Sequence, residues 1–279
     1  MKTNSFAFQG VNGAYSEQAG KNVFPYAKSL PCSTFEEMFA CVRDDEADIA
    51  LVPIENSQAG RVADTQRLIP DSDLNIIGEY FLEVRHNLLA VPGTNINDIK
   101  RVHSHEQGIA QCRNKIIKLN KQMVIAADTA GSAKKISELN NKEDAAIASS
   151  LAAEIYNLDV LEANFQDAEH NVTRFLIMSK DKSDIEPSEG NIITTLVFVV
   201  RSIPASLYKC LGGFASNGVN ITKLESYIHP QGFDVAQFYI DFEGHPKNNS
   251  VKLALEEMKF FCKEIKILGV YKKSNFRKK

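Results

Sequence analysis

The stretch Asp181-Lys182-Ser183-Asp184-Ile185-Glu186-Pro187-Ser188-Glu189-Gly190-Asn191 decides how the chain divides. It is polar, charged and broken by Pro and Gly, which is the composition of a linker. Reading outward from it assigns residues 1–182 to a first domain, 183–191 to the linker and 192–279 to a second domain with a basic C-terminal tail.

Behind the linker the apolar periodicity predicts a strand over 192–200, a helix over 206–216 and a strand over 221–228. A turn at Pro230-Gln231-Gly232, a strand over 233–242, a helix over 251–262 and a strand over 265–271 complete the pattern. That order, βαββαβ, is the ferredoxin-like arrangement. In the last helix Val251, Leu255, Met258, Cys262 and Ile265 keep helical spacing, which leaves the other face of the sheet free to pair.

In front of the linker, short apolar runs alternate with helical patterns. The expected strands are 6–9, 48–53, 88–91, 101–104, 123–126, 145–148 and 173–178. Between them Phe35, Met38, Phe39 and Val42 follow the i, i+3, i+4, i+7 rule behind a capping box of Thr34 and Glu37. Such alternation predicts an α/β region with largely parallel sheets and a ligand at the carboxyl ends of strands.

Composition excludes several classes. With 32 basic and 35 acidic residues and a net charge of -3, nothing is built to neutralise a nucleic-acid backbone. Cys32, Cys41, Cys112, Cys210 and Cys262 are odd in number and contain no Cys-x-x-Cys, so a reducing cytoplasmic setting without a disulfide framework is expected. No stretch reaches the ~20 apolar residues of a membrane span, and no signal-peptide region opens the chain.

The polar groups gather at strand ends. In Gln9-Gly10-Val11-Asn12-Gly13-Ala14-Tyr15-Ser16-Glu17, two readings stand: a glycine-lined helix start that cradles an anion, or a tight turn with glycine for geometry. Glu55-Asn56-Ser57 closes an apolar run, reading either as a substrate contact or as loop polarity. Ser104 ends another strand, with Gln111 about two helical turns on, and Asp128-Thr129-Ala130-Gly131-Ser132 repeats the strand-to-helix theme. His103 and His105 lack a third ligand at metal spacing, so no metal is expected. A site of hydroxyl, amide and N–H donors, without Gly-x-Ser-x-Gly or His-Glu-x-x-His, suits a small polyoxygenated anion, or a reaction driven by the substrate itself.

Taken in order, GVNGAYSEQA, STFEEMF, ALVPIENSQAG, SHEQGIAQC, AAIASSLAAEIYNLDVL and NVTRF resemble the prephenate dehydratase family. PASLYKCLGGFASNGVNITKLESY resembles the ACT regulatory domain that follows it there. The resemblance implies a monofunctional enzyme with a two-lobed, periplasmic-binding-protein-like catalytic region whose site lies between the lobes. It implies conversion of prephenate to phenylpyruvate without a cofactor, feedback by L-phenylalanine, and a homo-oligomer, dimer or tetramer. Family catalytic positions fall on Asn56, Ser104, Gln111 and Thr173; Gly13, Tyr15, Ser16, Glu55, Ser57, Thr129, Gly131, Ser132, Arg174 and Phe175 are the expected substrate-binding set. The effector positions are Ala205, Ser206, Leu207, Asn220, Glu225 and Ser226, with Tyr227-Ile228 where the family has Arg-Pro. Arogenate, the amino counterpart of prephenate, stays open as substrate, and a non-catalytic anion sensor of the same fold is the reading from another class.

Strand alternation puts Thr173 and Phe175 on one face of NVTRF and Arg174 on the other. Thr173 is the expected donor to a departing hydroxyl. For Arg174 two readings stand, a hold on the pyruvyl carboxylate or an ion pair with Glu55 or another acid. Pairing with the carboxylate that leaves would stabilise the ground state and slow the step.

Overall fold

The computed structural model describes residues 3–229 and 232–278; Pro230 and Gln231 of the expected turn lie outside the described residues. From the N-terminus run β1 (Ser5–Gln9), α1 (Tyr15–Val23), β2 (Lys28–Cys32), α2 (Phe35–Arg43), β3 (Ile49–Asn56), β4 (Gly60–Arg61) and α3 (Ala63–Leu68). Next come β5 (Asn75–Glu83), β6 (Asn87–Ala90), β7 (Arg101–His105), α4 (Glu106–Gln111), α5 (Arg113–Lys118), β8 (Gln122–Ala126) and α6 (Thr129–Leu139). These lead to β9 (Asp144–Ala148), α7 (Ser150–Ile155), β10 (Asp159–Glu162) and β11 (Val172–Ser179). The last elements are β12 (Ile192–Val200), α8 (Ser206–Ser216), β13 (Ile221–His229), β14 (Gly232–Glu243), α9 (Asn249–Lys259) and β15 (Cys262–Lys272).

The architecture is mixed α/β, and the backbone clusters into two compact units, residues 3–66 with 80–175 and residues 67–79 with 176–278. Residues 176–182, which the sequence reading places with the first domain, cluster with the second unit, so this division falls inside β11. The expected linker is also more ordered than its composition suggests. Ile185 is buried, and Glu186 and Glu189 cap a short 3-10 turn at Pro187–Glu189 reciprocally.

In the first unit β11, β3, β1 and β2 lie side by side, with β1 parallel to both β2 and β3. Pro31 sits opposite Phe8 on β2, an edge strand, where a missing N–H is tolerated. The cap of α2 forms as expected, Glu37 N–H donating to Thr34 Oγ1 at 3.1 Å, while Met38, Phe39 and Val42 are buried. A second sheet has the order β10-β6-β9-β7-β8. Here β7 is parallel to β8 and β9, but β6 and β10 pair antiparallel, so the expectation of largely parallel sheets gives way to a mixed one. Its faces divide with period two. Leu88, Ala90, Ala145 and Ile147 join one core with Ile109 and Phe165, whereas Leu89, Val91, Ala146 and Ala148 join another with Ile136 and Ala152.

In the second unit the strand order is β13-β14-β12-β15, continued by β5, with β12 antiparallel to β14 and β15. With α8 and α9 this is the ferredoxin-like arrangement that the pattern predicts. Leu196, Phe198, Ile240, Phe214 and Met258 form the core under the helices. Two expectations are corrected. The last helix ends at Lys259, and Cys262 and Ile265 belong to β15, paired with Val200 and Phe198. The helix-free face is not open: Ile193, Val197, Tyr239 and Tyr271 are all buried, and β15 pairs with β5 through Gly269, where a Cβ would come within 2.1 Å of the Ile76 carbonyl oxygen. Among the described residues, no helix is long and apolar enough to cross a membrane.

Candidate active site

Strand ends and helix starts of the first unit enclose a cavity of about 250 Å³. Its wall takes Gln9 and Gly10 from the end of β1, Tyr15 and Ser16 from the start of α1, Asn56 from the end of β3, and His105 from the end of β7. That placement follows the rule for ligand sites at the carboxyl ends of parallel strands. The remaining wall includes His86, Gln111, Asp128, Thr129, Asn171, Thr173 and Phe175. Thr173 and Phe175 share the cavity face and Arg174 does not, as the alternation along β11 predicts.

Seven of the expected residues thus meet at one place: Tyr15, Ser16, Asn56, Gln111, Thr129, Thr173 and Phe175. The others stand behind the wall. Ser104 is fully buried and donates to the Ile147 carbonyl at 2.8 Å, tying β7 to β9. Gly13 has φ +89°, a Cβ there would meet Ala152 Cα at 2.8 Å, and its N–H donates to Glu17 rather than to a ligand. Ser57 pairs with the backbone of Val172 through both its N–H and its hydroxyl. Gly131 gives its N–H to the Asp128 carboxylate that caps α6, and Ser132 donates to the Asp128 carbonyl, so neither lines the cavity. Arg174 is buried and its Nη1 lies 3.1 Å from Glu55 Oε1, which is the ion-pair reading of both residues.

The orientation of Asn56 is fixed by the backbone. Its Oδ1 accepts the N–H groups of Gln58 at 2.9 Å and Ala59 at 2.8 Å, an Asx-type turn. Its Nδ2 must therefore face the other way, and it donates to Asn171 Oδ1 at 2.7 Å and to Thr173 Oγ1 at 2.9 Å. Thr173 accepts here, so its own proton is available for another partner.

Sequence reasoning passed over His86 and Asn171. His86 is 2 % exposed, its partners lie far off in the chain, and burial lowers its pKa, partly offset by the bond to Gln111. No local motif announces it. Asn171 stands at the head of the very stretch that carries Thr173, where the start of a strand was the only signal. Burial pushes the Cys112 thiol up, away from nucleophilic thiolate. Among the described residues no group of three His, Cys, Asp or Glu side chains is placed to hold a metal.

The chain as a whole is similar to known proteins. The family model for prephenate dehydratase matches residues 6–183. A bifunctional N-acyl-homoserine lactone acylase/prephenate dehydratase from Komagataeibacter europaeus is 45% identical over 98% of this chain and 97% of its own. Arogenate dehydratase/prephenate dehydratase 2 of Arabidopsis thaliana is 39% identical over 95% of this chain and 72% of its own. The crystal structure of prephenate dehydratase from Arthrobacter aurescens in complex with L-Phe is 32% identical and superposes with a TM-score of 0.87, covering 96% of this chain and 90% of that one. With the family model spanning every element that lines the cavity, the chain belongs to the prephenate dehydratase family.

Proposed function

We propose that this protein converts prephenate to phenylpyruvate, carbon dioxide and water in its first unit. The bond from the ring to its carboxylate breaks and releases carbon dioxide. The electron pair enters the ring, which becomes aromatic as the C–O bond opposite breaks, and the departing hydroxide takes a proton to leave as water. Aromatisation supplies most of the driving force, so the protein has to orient the dianion and assist the leaving oxygen. The observation that carries this reading is the Asn56-to-Thr173 hydrogen bond in the cavity, which leaves the threonine proton to be donated. A threonine hydroxyl is a weak acid, so it acts as a hydrogen-bond donor or relay, worth ~10²–10⁴ in rate. Arg174 acts through its pair with Glu55, and Ser104 through the Ile147 carbonyl, as supports of the wall.

The second unit is, on this proposal, an ACT domain that binds L-phenylalanine between paired copies of the chain, with Ala205, Ser206, Leu207, Asn220, Glu225 and Ser226 as contacts. Its ferredoxin-like order supports this. Ala205, the first of these positions, caps α8 in a left-handed conformation, φ 58°, ψ 27°.

The plant relative's name pairs arogenate with prephenate, which makes the amino counterpart the second reading. Pure full-length protein incubated with each substrate distinguishes them: phenylpyruvate from prephenate supports the proposal, phenylalanine from arogenate alone replaces it, and no turnover of either sinks both. L-phenylalanine added to the same assay should inhibit. Unchanged rates, and an unchanged sedimentation coefficient, would remove the regulatory part.

A further inference from the structure

The hydrogen bonds along the cavity wall run as one chain, Thr173–Asn56–Asn171–Gln111–His86–Tyr15, and its direction can be derived from one end. Asn56 cannot flip, because backbone N–H groups hold its Oδ1. Asn171 Oδ1 therefore receives Asn56 Nδ2, and Asn171 Nδ2 donates onward to Gln111 Oε1 at 2.9 Å. That makes the Gln111 atom facing His86 an oxygen as well, since the same Oε1 lies 2.7 Å from His86 Nε2. An oxygen accepts only, so Nε2 must carry a proton. In a neutral imidazole Nδ1 is then the acceptor, and the Tyr15 hydroxyl at 2.7 Å donates to it. The same hydroxyl lies 3.2 Å from the Arg85 carbonyl, the longer and weaker alternative for its single proton. Burial disfavours both the imidazolium and the phenolate, which keeps the pair neutral.

Resting on the dehydratase reading given above, we infer that His86 is a positioning residue, locked as the Nε2–H tautomer, which joins Asn171 in clamping the Gln111 carbonyl oxygen so that the Gln111 amide N–H groups are presented to an anionic oxygen of the substrate. Two donors at one carbonyl leave the amide one orientation. Among the described hydrogen bonds Gln111 Nε2 has no protein partner, and Gln111 lines the cavity. Together with Thr173 O–H, the wall offers the substrate donors at two places that are set before it arrives. The opposite tautomer would put the Nε2 lone pair against Gln111 Oε1 at the same 2.7 Å and expel the amide from this position.

The test begins with the wild-type protein and needs no substrate. With ¹⁵N-labelled histidine, two-bond proton–nitrogen spectra report which ring nitrogen of each histidine is protonated, and loss of one set of peaks in His86→Gln assigns it. The expected pattern is protonated Nε2 and an unprotonated, hydrogen-bonded Nδ1; a protonated Nδ1 alone overturns the inference whatever the protein's activity. In Asn171→Asp an acceptor replaces the donor, so the chain has to reverse and the Nε2–H-only pattern should be lost; its retention overturns the wiring. For the positioning role, His86→Phe should lower kcat at least tenfold with KM within about twofold, while His86→Gln, which can still donate near the Nε2 position, should recover most of it. Equal losses in the two variants overturn that role. Absence of turnover by the wild type counts against the dehydratase reading alone, since the tautomer is measured independently.

Discussion

Two threonines sit in polar networks with opposite proton arrangements. In the second unit Thr195 is fully buried and donates to Asp241 Oδ1 at 2.6 Å, while the Tyr271 hydroxyl lies 2.8 Å away as its second partner. Arg277 joins that cluster, 3.5 Å from Asp241 and 2.8 Å from Glu79. The threonine proton is taken up by a carboxylate, so the network is closed and can only hold strands together. In the first unit Thr173 meets an amide that donates, at 2.9 Å, and lines a cavity. Among the described hydrogen bonds, that network ends in a threonine proton with no protein acceptor. On the proposed function, the same side chain is a fastener in one unit and a proton donor in the other, according to whether its neighbour accepts or donates.

The largest effect is expected at Thr173. Thr173→Val keeps the shape and removes the proton, and kcat should fall by a factor on the order of 10² or more with KM little changed, while Thr173→Ser retains far more activity. Equal losses would make Thr173 a packing residue like any other. A smaller effect, roughly tenfold to a hundredfold in kcat, is expected from Asn56→Asp, which turns the donor facing Thr173 into an acceptor and captures its proton, as Asp241 does to Thr195. Steady-state kinetics that show only a rise in KM would mean that Asn56 acts through binding. In the closed network Thr195→Val should leave turnover untouched and lower stability by about 1–3 kcal/mol, because a buried carboxylate loses a donor. Denaturant midpoints at constant m-value measure it, and an unchanged midpoint would show that Asp241 is satisfied without Thr195. The smallest effect, a gain of up to about 1 kcal/mol, is expected of Ala205→Gly, which relieves a left-handed backbone at the start of α8. A drop in thermal midpoint would show that the methyl group is needed there.

Much of this was legible in the sequence where periodicity and burial agree. The strand 192–200 and the helix 206–216 match the structure residue for residue, since the strand is buried from end to end and the helix keeps Cys210 and Phe214 on a core-facing stripe. β2 was not expected, because Lys28-Ser29-Leu30-Pro31-Cys32 is an edge strand with a proline and little alternation. β5 escaped for a related reason: Gly78 and Glu79 interrupt its apolar run. At the site, Thr173, Asn56 and Gln111 came from ordered motifs, whereas His86 takes its role from Tyr15 and Gln111, at separations of 71 and 25 residues that no local pattern records. The motif placed Ser104 at the site as well, and the structure puts it one layer behind, where burial and the Ile147 carbonyl hold it.

The turn that grips Asn56 has a thermodynamic consequence. In water, charge moving onto a leaving oxygen forces many solvent dipoles to turn with it, and that reorganisation enters the barrier of every event. Here the amide is aligned by the N–H groups of Gln58 and Ala59 when the chain folds. On the proposed function, the ordering is settled once, in the folding equilibrium, and recurs in none of the turnovers that follow. The activation entropy of the chemical step should accordingly be close to zero, with the temperature dependence of kcat carried by enthalpy.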